Sequence, residues 1–146
     1  MGRILGIDYG NKRVGLAITD PLGIFASPME TVRSGEFDRF VDDYLKTGMI
    51  DEFVIGYPVQ MNNMPSESVK YIDPFIRRLK KKFPGKPVHK IDERFTSRIA
   101  LRTMIDGGMK KKERQNKAVV DKVSAAIILQ SYLDKRSNEK GKKEQK

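Results

Sequence analysis

The stretch R-I-L-G-I-D-Y-G-N-K-R-V-G-L-A-I-T-D, residues 3–20, decides the fold. Arg3–Tyr9 is apolar almost throughout, at Ile4, Leu5 and Ile7, the pattern of a central strand covered on both faces. Gly10-Asn11-Lys12-Arg13 carries a Gly-Asn turn signal, and Val14–Thr19 reads as a second strand. So short a connection predicts an antiparallel hairpin. Asp20-Pro21-Leu22-Gly23 is a further turn, and Met29–Val32 is expected to form a third strand. The sheet opens as a meander.

Beyond it the period changes. Phe37, Phe40, Val41, Tyr44 and Leu45 recur at helical spacing, with Ser34 as a candidate N-cap and Gly48 as a stop. Glu52–Tyr57 is an apolar strand closed by Pro58. Val69, Ile72, Ile76, Leu79 and Phe83 form the next helical stripe, expected to begin after Ser66. Pro74 within it predicts a kink, or a helix restarting with Asp73 as cap. Val88–Asp92 is a fifth strand, followed by helices over Ser97–Ile105 and Ala118–Leu133 around Gly107-Gly108 and a basic run. The order β-β-β-α-β-α-β-α-α predicts an α/β domain, a mixed five-stranded sheet whose first three strands are antiparallel and whose later strands are parallel, flanked by helices. Residues 1–134 are read as one domain without repeats, and 135–146 as a basic disordered tail.

Composition narrows the function classes. At 146 residues with 38% hydrophobic content, the chain has the size of one domain and enough apolar matter for a core. No stretch approaches the roughly 20 apolar residues of a membrane span, and the start is too short in apolar residues for a secretory signal. The absence of cysteine excludes disulfides, thiolate catalysis and Cys-based zinc sites. A soluble cytoplasmic protein without membrane partners is expected. Lys and Arg number 29 against 19 acids, a formal net charge of +10. The excess is clustered: residues 77–90 carry seven cations and no acid, 110–117 carry five, and 135–146 carry six. Clustered cations are the footprint of a polyanion binder, although a solubilising surface gives the same composition.

Three acidic positions stand out inside this basic chain. Asp8 sits in the most apolar strand, where a charge is costly unless it is paired or binds a cation, though an Asp capping the Gly10 turn reads the same way. Asp92-Glu93 closes the fifth strand, and ligands gather at the ends of parallel strands. Asp121 opens the last helix and shares a face with Ala125, Ile128 and Tyr132. If these elements meet, three carboxylates converge, and hard oxygen donors suit Mg²⁺ or Mn²⁺. Such ions serve in-line phosphoryl displacement, with cations at the rim holding the flanking phosphates. His89, the only histidine, is expected to be a surface or edge residue rather than a catalyst.

G-I-D-Y-G-N-K-R-V-G-L-A-I-T-D at 6–20, V-I-G-Y-P at 54–58, D-E-R-F-T-S at 92–97 and D-K-V-S-A-A-I-I-L-Q-S-Y-L at 121–133 resemble the YqgF family of Holliday-junction-resolvase-like proteins. The resemblance runs to about residue 134 and implies an RNase H-like fold and metal-dependent nuclease action, in processing the 5′ end of small-subunit ribosomal RNA. The older inference for the family is cleavage of branched DNA. By the resemblance, Asp8, Glu93 and Asp121 are the catalytic metal ligands, with Asp92 a less certain contributor. Lys12 and Arg13 correspond to phosphate contacts, and Arg94 and Thr96 shape the site. From the clustered charge, Lys110, Lys111 and Lys112 are expected to add basic contacts to the nucleic acid. Asn11 replaces the family's usual Thr, and the loop after Pro58 departs from the common Gly-ending form. An actin-like or sugar-kinase ATPase shares the first motif but needs two lobes and far more chain. A non-catalytic ribosomal-RNA-binding factor is the stronger rival. RNA against DNA, and monomer against dimer, stay open at this stage.

Overall fold

The computed structural model describes residues 3–57, 69–92, 108, 110 and 116–144, with side chains described through Asn138. Five strands, β1 (Arg3–Tyr9), β2 (Arg13–Thr19), β3 (Ala26–Arg33), β4 (Ile50–Tyr57) and β5 (Val88–Asp92), form one sheet in the order β3-β2-β1-β4-β5. β1 pairs antiparallel with β2 and parallel with β4, and β4 pairs parallel with β5, so the sheet is mixed as the element order requires. Helices α1 (Phe37–Leu45) and α2 (Val69–Lys82) belong to one face, and α3 (Lys117–Glu144) covers the other. Among the described residues, no helix is long and apolar enough to cross a membrane.

The face under α1 and α2 is filled by volume. Leu5, Ile7, Leu16, Phe53 and Ile55 from the strands meet Phe37, Val41, Ile72, Phe75 and Leu79 from the helices. Phe75 lies at the centre, edge-on to Phe37 at 5.0 Å and stacked on Tyr9 at 4.1 Å. The face under α3 is thinner, with Ile4, Ala17 and Val54 against Ala125, Ile128, Leu129 and Leu133. There the helix lies almost on the sheet backbone. A Cβ at Gly6 would come within 2.7 Å of the Leu129 Cβ, and one at Gly15 within 2.1 Å of the Asp121 carbonyl oxygen. Neither position admits any other residue without moving the helix.

Three expectations are corrected. Ser34 does not cap α1: it starts a short 3-10 turn, Ser34–Glu36, and its hydroxyl donates to the Asn11 carbonyl at 2.9 Å. The 3-10 turn places Glu36, not Ser34, at the cap position of α1. Of the two alternatives at Pro74 the restart is not realised: helix α2 runs continuously through it, and Asp73 accepts the Tyr57 hydroxyl at 2.9 Å instead of capping. The third strand is longer than Met29–Val32, because its flanks are exposed and carry no apolar signal. Helix α3 runs on to Glu144. Lys, Arg, Glu and Gln are good helix formers, so a helix started on the sheet propagates through them without a core. The expected helix Ser97–Ile105 lies outside the described residues.

β3 forms an edge of the sheet, and its register against β2 steps from Leu16↔Glu30 to Ala17↔Pro28. Met29 is the extra residue of that bulge.

Candidate active site

The β1–β2 hairpin and the start of α3 define the candidate site. Tyr9↔Val14 is the last pair of the ladder; Gly10 N–H donates to the Arg13 carbonyl at 2.8 Å, leaving Asn11 and Lys12 as the tip. Ser34, the first residue after β3, braces that tip, its N–H donating to the Lys12 carbonyl at 3.0 Å and its hydroxyl to the Asn11 carbonyl. Side chains alternate along β1. Leu5 and Ile7 face α1 and α2, whereas Ile4, Gly6 and Asp8 face α3. Asp8 pairs with Gly15, the residue on which the Asp121 backbone rests.

Two bonds fix the start of α3. Asn116 caps it, accepting the Ala118 N–H on its side chain at 3.0 Å, and the Thr31 hydroxyl of β3 donates to the Ala118 carbonyl at 2.5 Å. Asp121 follows on the second turn, half-buried. Its Oδ2 accepts from Arg13 Nε at 2.8 Å, an ion pair with side-chain exposures of 39% for Arg13 and 23% for Asp121. The pair is open enough for solvent to screen it, so its worth lies in orienting Asp121 more than in stability.

Together these residues line a cleft of about 340 Å³, walled by Asp8, Asn11, Lys12, Arg13, Lys117 and Asp121. Two of the three expected carboxylates, one from each end of the chain, thus share one cavity. The third, Glu93, lies outside the described residues, as do Arg94, Thr96, Lys111 and Lys112. Lys110 is exposed. Among the described residues no group of three acids or histidines is assembled. Asp92 pairs with Tyr57, whose ring packs on the α1–α2 side, so strand geometry sets Asp92 on the face opposite Asp8. Lys117 was not singled out in the sequence. Its signal was its spacing, four residues before Asp121 and so one turn away on the same helix face.

His89 lies on edge strand β5, half-buried, with Nε2 2.9 Å from Glu52 Oε1. It belongs to a separate cluster and contributes nothing to the cleft.

A family model described as "RuvX: Holliday junction resolvase" matches residues 2–135. The chain belongs to the RuvX family. Relatives in Bacteroides fragilis and Porphyromonas gingivalis, each named "Putative pre-16S rRNA nuclease", are both 52% identical over 134 residues, 92% of this chain and 97% of theirs. Among solved structures, fowlpox virus resolvase with Holliday junction DNA superposes with a TM-score of 0.58 at 12% identity, covering 91% of this chain and 97% of that one. Thermus thermophilus RuvC with a Holliday junction substrate gives 0.54 at 17% identity, covering 94% and 96%. At those identities the likeness establishes the fold, which is RNase H-like. This RuvX chain is a nuclease, a hydrolase acting on phosphodiester bonds.

Proposed function

We propose that this RuvX protein hydrolyses phosphodiester bonds in the 5′ processing of pre-16S ribosomal RNA in the cytoplasm, using Mg²⁺ or Mn²⁺ held by Asp8, Glu93 and Asp121. The observation that carries the reading is the meeting of Asp8 and Asp121 in one cleft whose other walls are Lys12, Arg13 and Lys117. The donor set fits a hard cation. The described acidic donors are carboxylate oxygens, the chain has no cysteine, and its single histidine stands in another cluster. When bound, such an ion polarises a phosphoryl oxygen and brings water to a reactive state near neutral pH.

The protein's own residues do the rest. Lys12 and Lys117 stand at the cleft as point charges that hold non-bridging phosphate oxygens, and the exposed hairpin tip places Lys12 where a strand arrives. Arg13 keeps the Asp121 carboxylate in a fixed orientation, and its fork has donors left for a flanking phosphate. The buried ladder beneath Asp8 gives that carboxylate a rigid floor, so its position is set before substrate binds. Ribosomal RNA is favoured over branched DNA because relatives with half their residues in common bear the rRNA name, whereas the junction resolvases share only the fold.

The test is cleavage of a labelled precursor-rRNA 5′ fragment and of a four-way DNA junction, with Mn²⁺ or with EDTA. Wild type is expected to cut the RNA in Mn²⁺ alone. Asp8→Asn is expected to lose at least about 100-fold in rate, and to bind Mn²⁺ more weakly by calorimetry, while still binding the RNA. Cutting of the junction alone would reassign the substrate to DNA. Binding of RNA by both proteins with no cutting in any metal would leave an RNA-binding factor on a nuclease fold.

A further inference from the structure

A second, larger concavity of about 610 Å³ opens on the α3 face of the sheet, where β5 forms the edge. Three planar groups furnish it. The His89 imidazole stacks on the Tyr132 ring, centroids 4.8 Å apart and planes 24° from parallel, and the Arg136 guanidinium lies over the same ring at 5.4 Å. One carboxylate locks all three. Glu52 Oε1 is 2.9 Å from His89 Nε2 and accepts the Tyr132 hydroxyl at 3.4 Å, while its Oε2 accepts from Arg136 at 3.3 Å. Burial, then the neighbouring Glu52 charge, raises the Tyr132 hydroxyl pKa above its usual value, so the ring stays neutral. Lys135 lines the cavity beside Arg136, and is exposed. The Lys90 ammonium is occupied elsewhere, over the Tyr57 ring at 4.7 Å.

A clasp fastening α3 to the sheet needs only Glu52 and Arg136. It does not need a stacked imidazole and phenol at the mouth of an open cavity, nor a further lysine on the rim. Pre-ordered aromatic planes with guanidinium and ammonium groups beside them are what receives a splayed base and its phosphate. The cavity also lies on the same face as the cleft. From Asp121 to Tyr132 is eleven residues along α3, a rise of about 17 Å. That is the length of about five stacked nucleotide steps.

We propose that this cavity is a second nucleic-acid subsite, taking one unpaired nucleotide of the strand whose scissile bond occupies the cleft. The base lies against the His89–Tyr132 stack, and its phosphate meets Lys135 and Arg136. The inference rests on the nuclease reading for the strand's direction, though the binding itself needs no cleavage.

The chain's single histidine makes a direct test available, because its imidazole proton signals stand alone in the NMR spectrum. Single-stranded RNA and DNA oligonucleotides of about 16 residues, a length at the upper end of single-strand sites, are titrated into the full chain in EDTA. The His89 signals are expected to shift in a saturable way with at least one polymer. His89→Ala should weaken binding by about 5- to 100-fold, and His89→Phe, which keeps a stacking ring, by clearly less. Lys135→Glu, an exposed change that spares the fold, should weaken binding about tenfold and lower the log–log salt slope by about 1. Unmoved imidazole signals at saturating oligonucleotide, or a Lys135→Glu protein with wild-type affinity and salt slope, would overturn the proposal. A chain whose His89 signals shift but which cuts nothing fails the nuclease reading alone. One that cuts with His89 unmoved fails this inference alone.

Discussion

Beneath α1 and α2, sheet and helices meet through phenylalanine, isoleucine and leucine side chains; beneath α3 they meet through Gly6, Gly15, Ala17 and Ala125. On the first face a change of residue alters a volume, and neighbouring side chains can partly relax into it. On the second, backbone meets backbone at Gly15 and the Leu129 Cβ closes on Gly6, so at those two points there is no slack to absorb an error. The carboxylate that needs accurate placement, Asp121, belongs to the second face. The thick face holds the domain together, and the thin one sets a distance.

That contrast breaks most openly at Phe75. Phe75→Ala is expected to cost about 3–5 kcal/mol in chemical denaturation, with cleavage per folded molecule close to wild type. A large loss of specific activity in the folded fraction would show that the two faces are not separable. Gly15→Ala should behave in the opposite sense. It adds one methyl, costs about 1–3 kcal/mol, and is expected to reduce cleavage about 100-fold by lifting Asp121 away from Asp8. A Gly15→Ala protein of normal activity would refute the claim that close approach positions the site.

How much of this was legible in the sequence follows the same division. The continuous apolar runs marked β1, β2 and β4, and the helical stripes marked α1 and α2, because volume-filling residues advertise themselves. Asp8 and Asp121 were legible as charges in apolar settings. The glycines of the thin face were visible as letters, but what a Cβ there would strike is a property of the packed helix. Long-range partners were equally hidden. The Ser34 hydroxyl could have served the helix or the hairpin, and only the fold brings Asn11 near it. The Glu52–His89–Tyr132–Arg136 cluster joins β4, β5 and α3 through polar atoms that carry no periodicity.

Smaller effects sharpen the comparison. Asn116→Ala removes the cap of α3 and should cost about 1 kcal/mol, with a few-fold loss of cleavage because Asp121 is on the second turn. An equal stability loss placed on the other face should leave cleavage unchanged. The smallest effect is expected away from both faces, in the β2–β3 loop. Asp20 has its pKa held below the ordinary carboxylate value, chiefly by the Phe25 N–H and also by that of Ile24. A lowered folded pKa gives ordering that is present above the unfolded value of 3.8 and lost as pH falls through the folded one. Amide exchange at Ile24 and Phe25, corrected for intrinsic rates, should therefore quicken on acidification while β1 amides stay protected.

The irregular outer strand has a consequence for how the molecule behaves in a crowded solution. An unpaired strand edge is a template onto which another chain can add, and repeated addition makes fibrils. β3 presents such an edge, but Pro28 has no N–H to give and Met29 is out of step with the ladder. The row of donors and acceptors that a second strand would have to match is broken mid-way. The protein thus carries a built-in stop against sheet extension on that side, and replacing Pro28 would be the way to remove it.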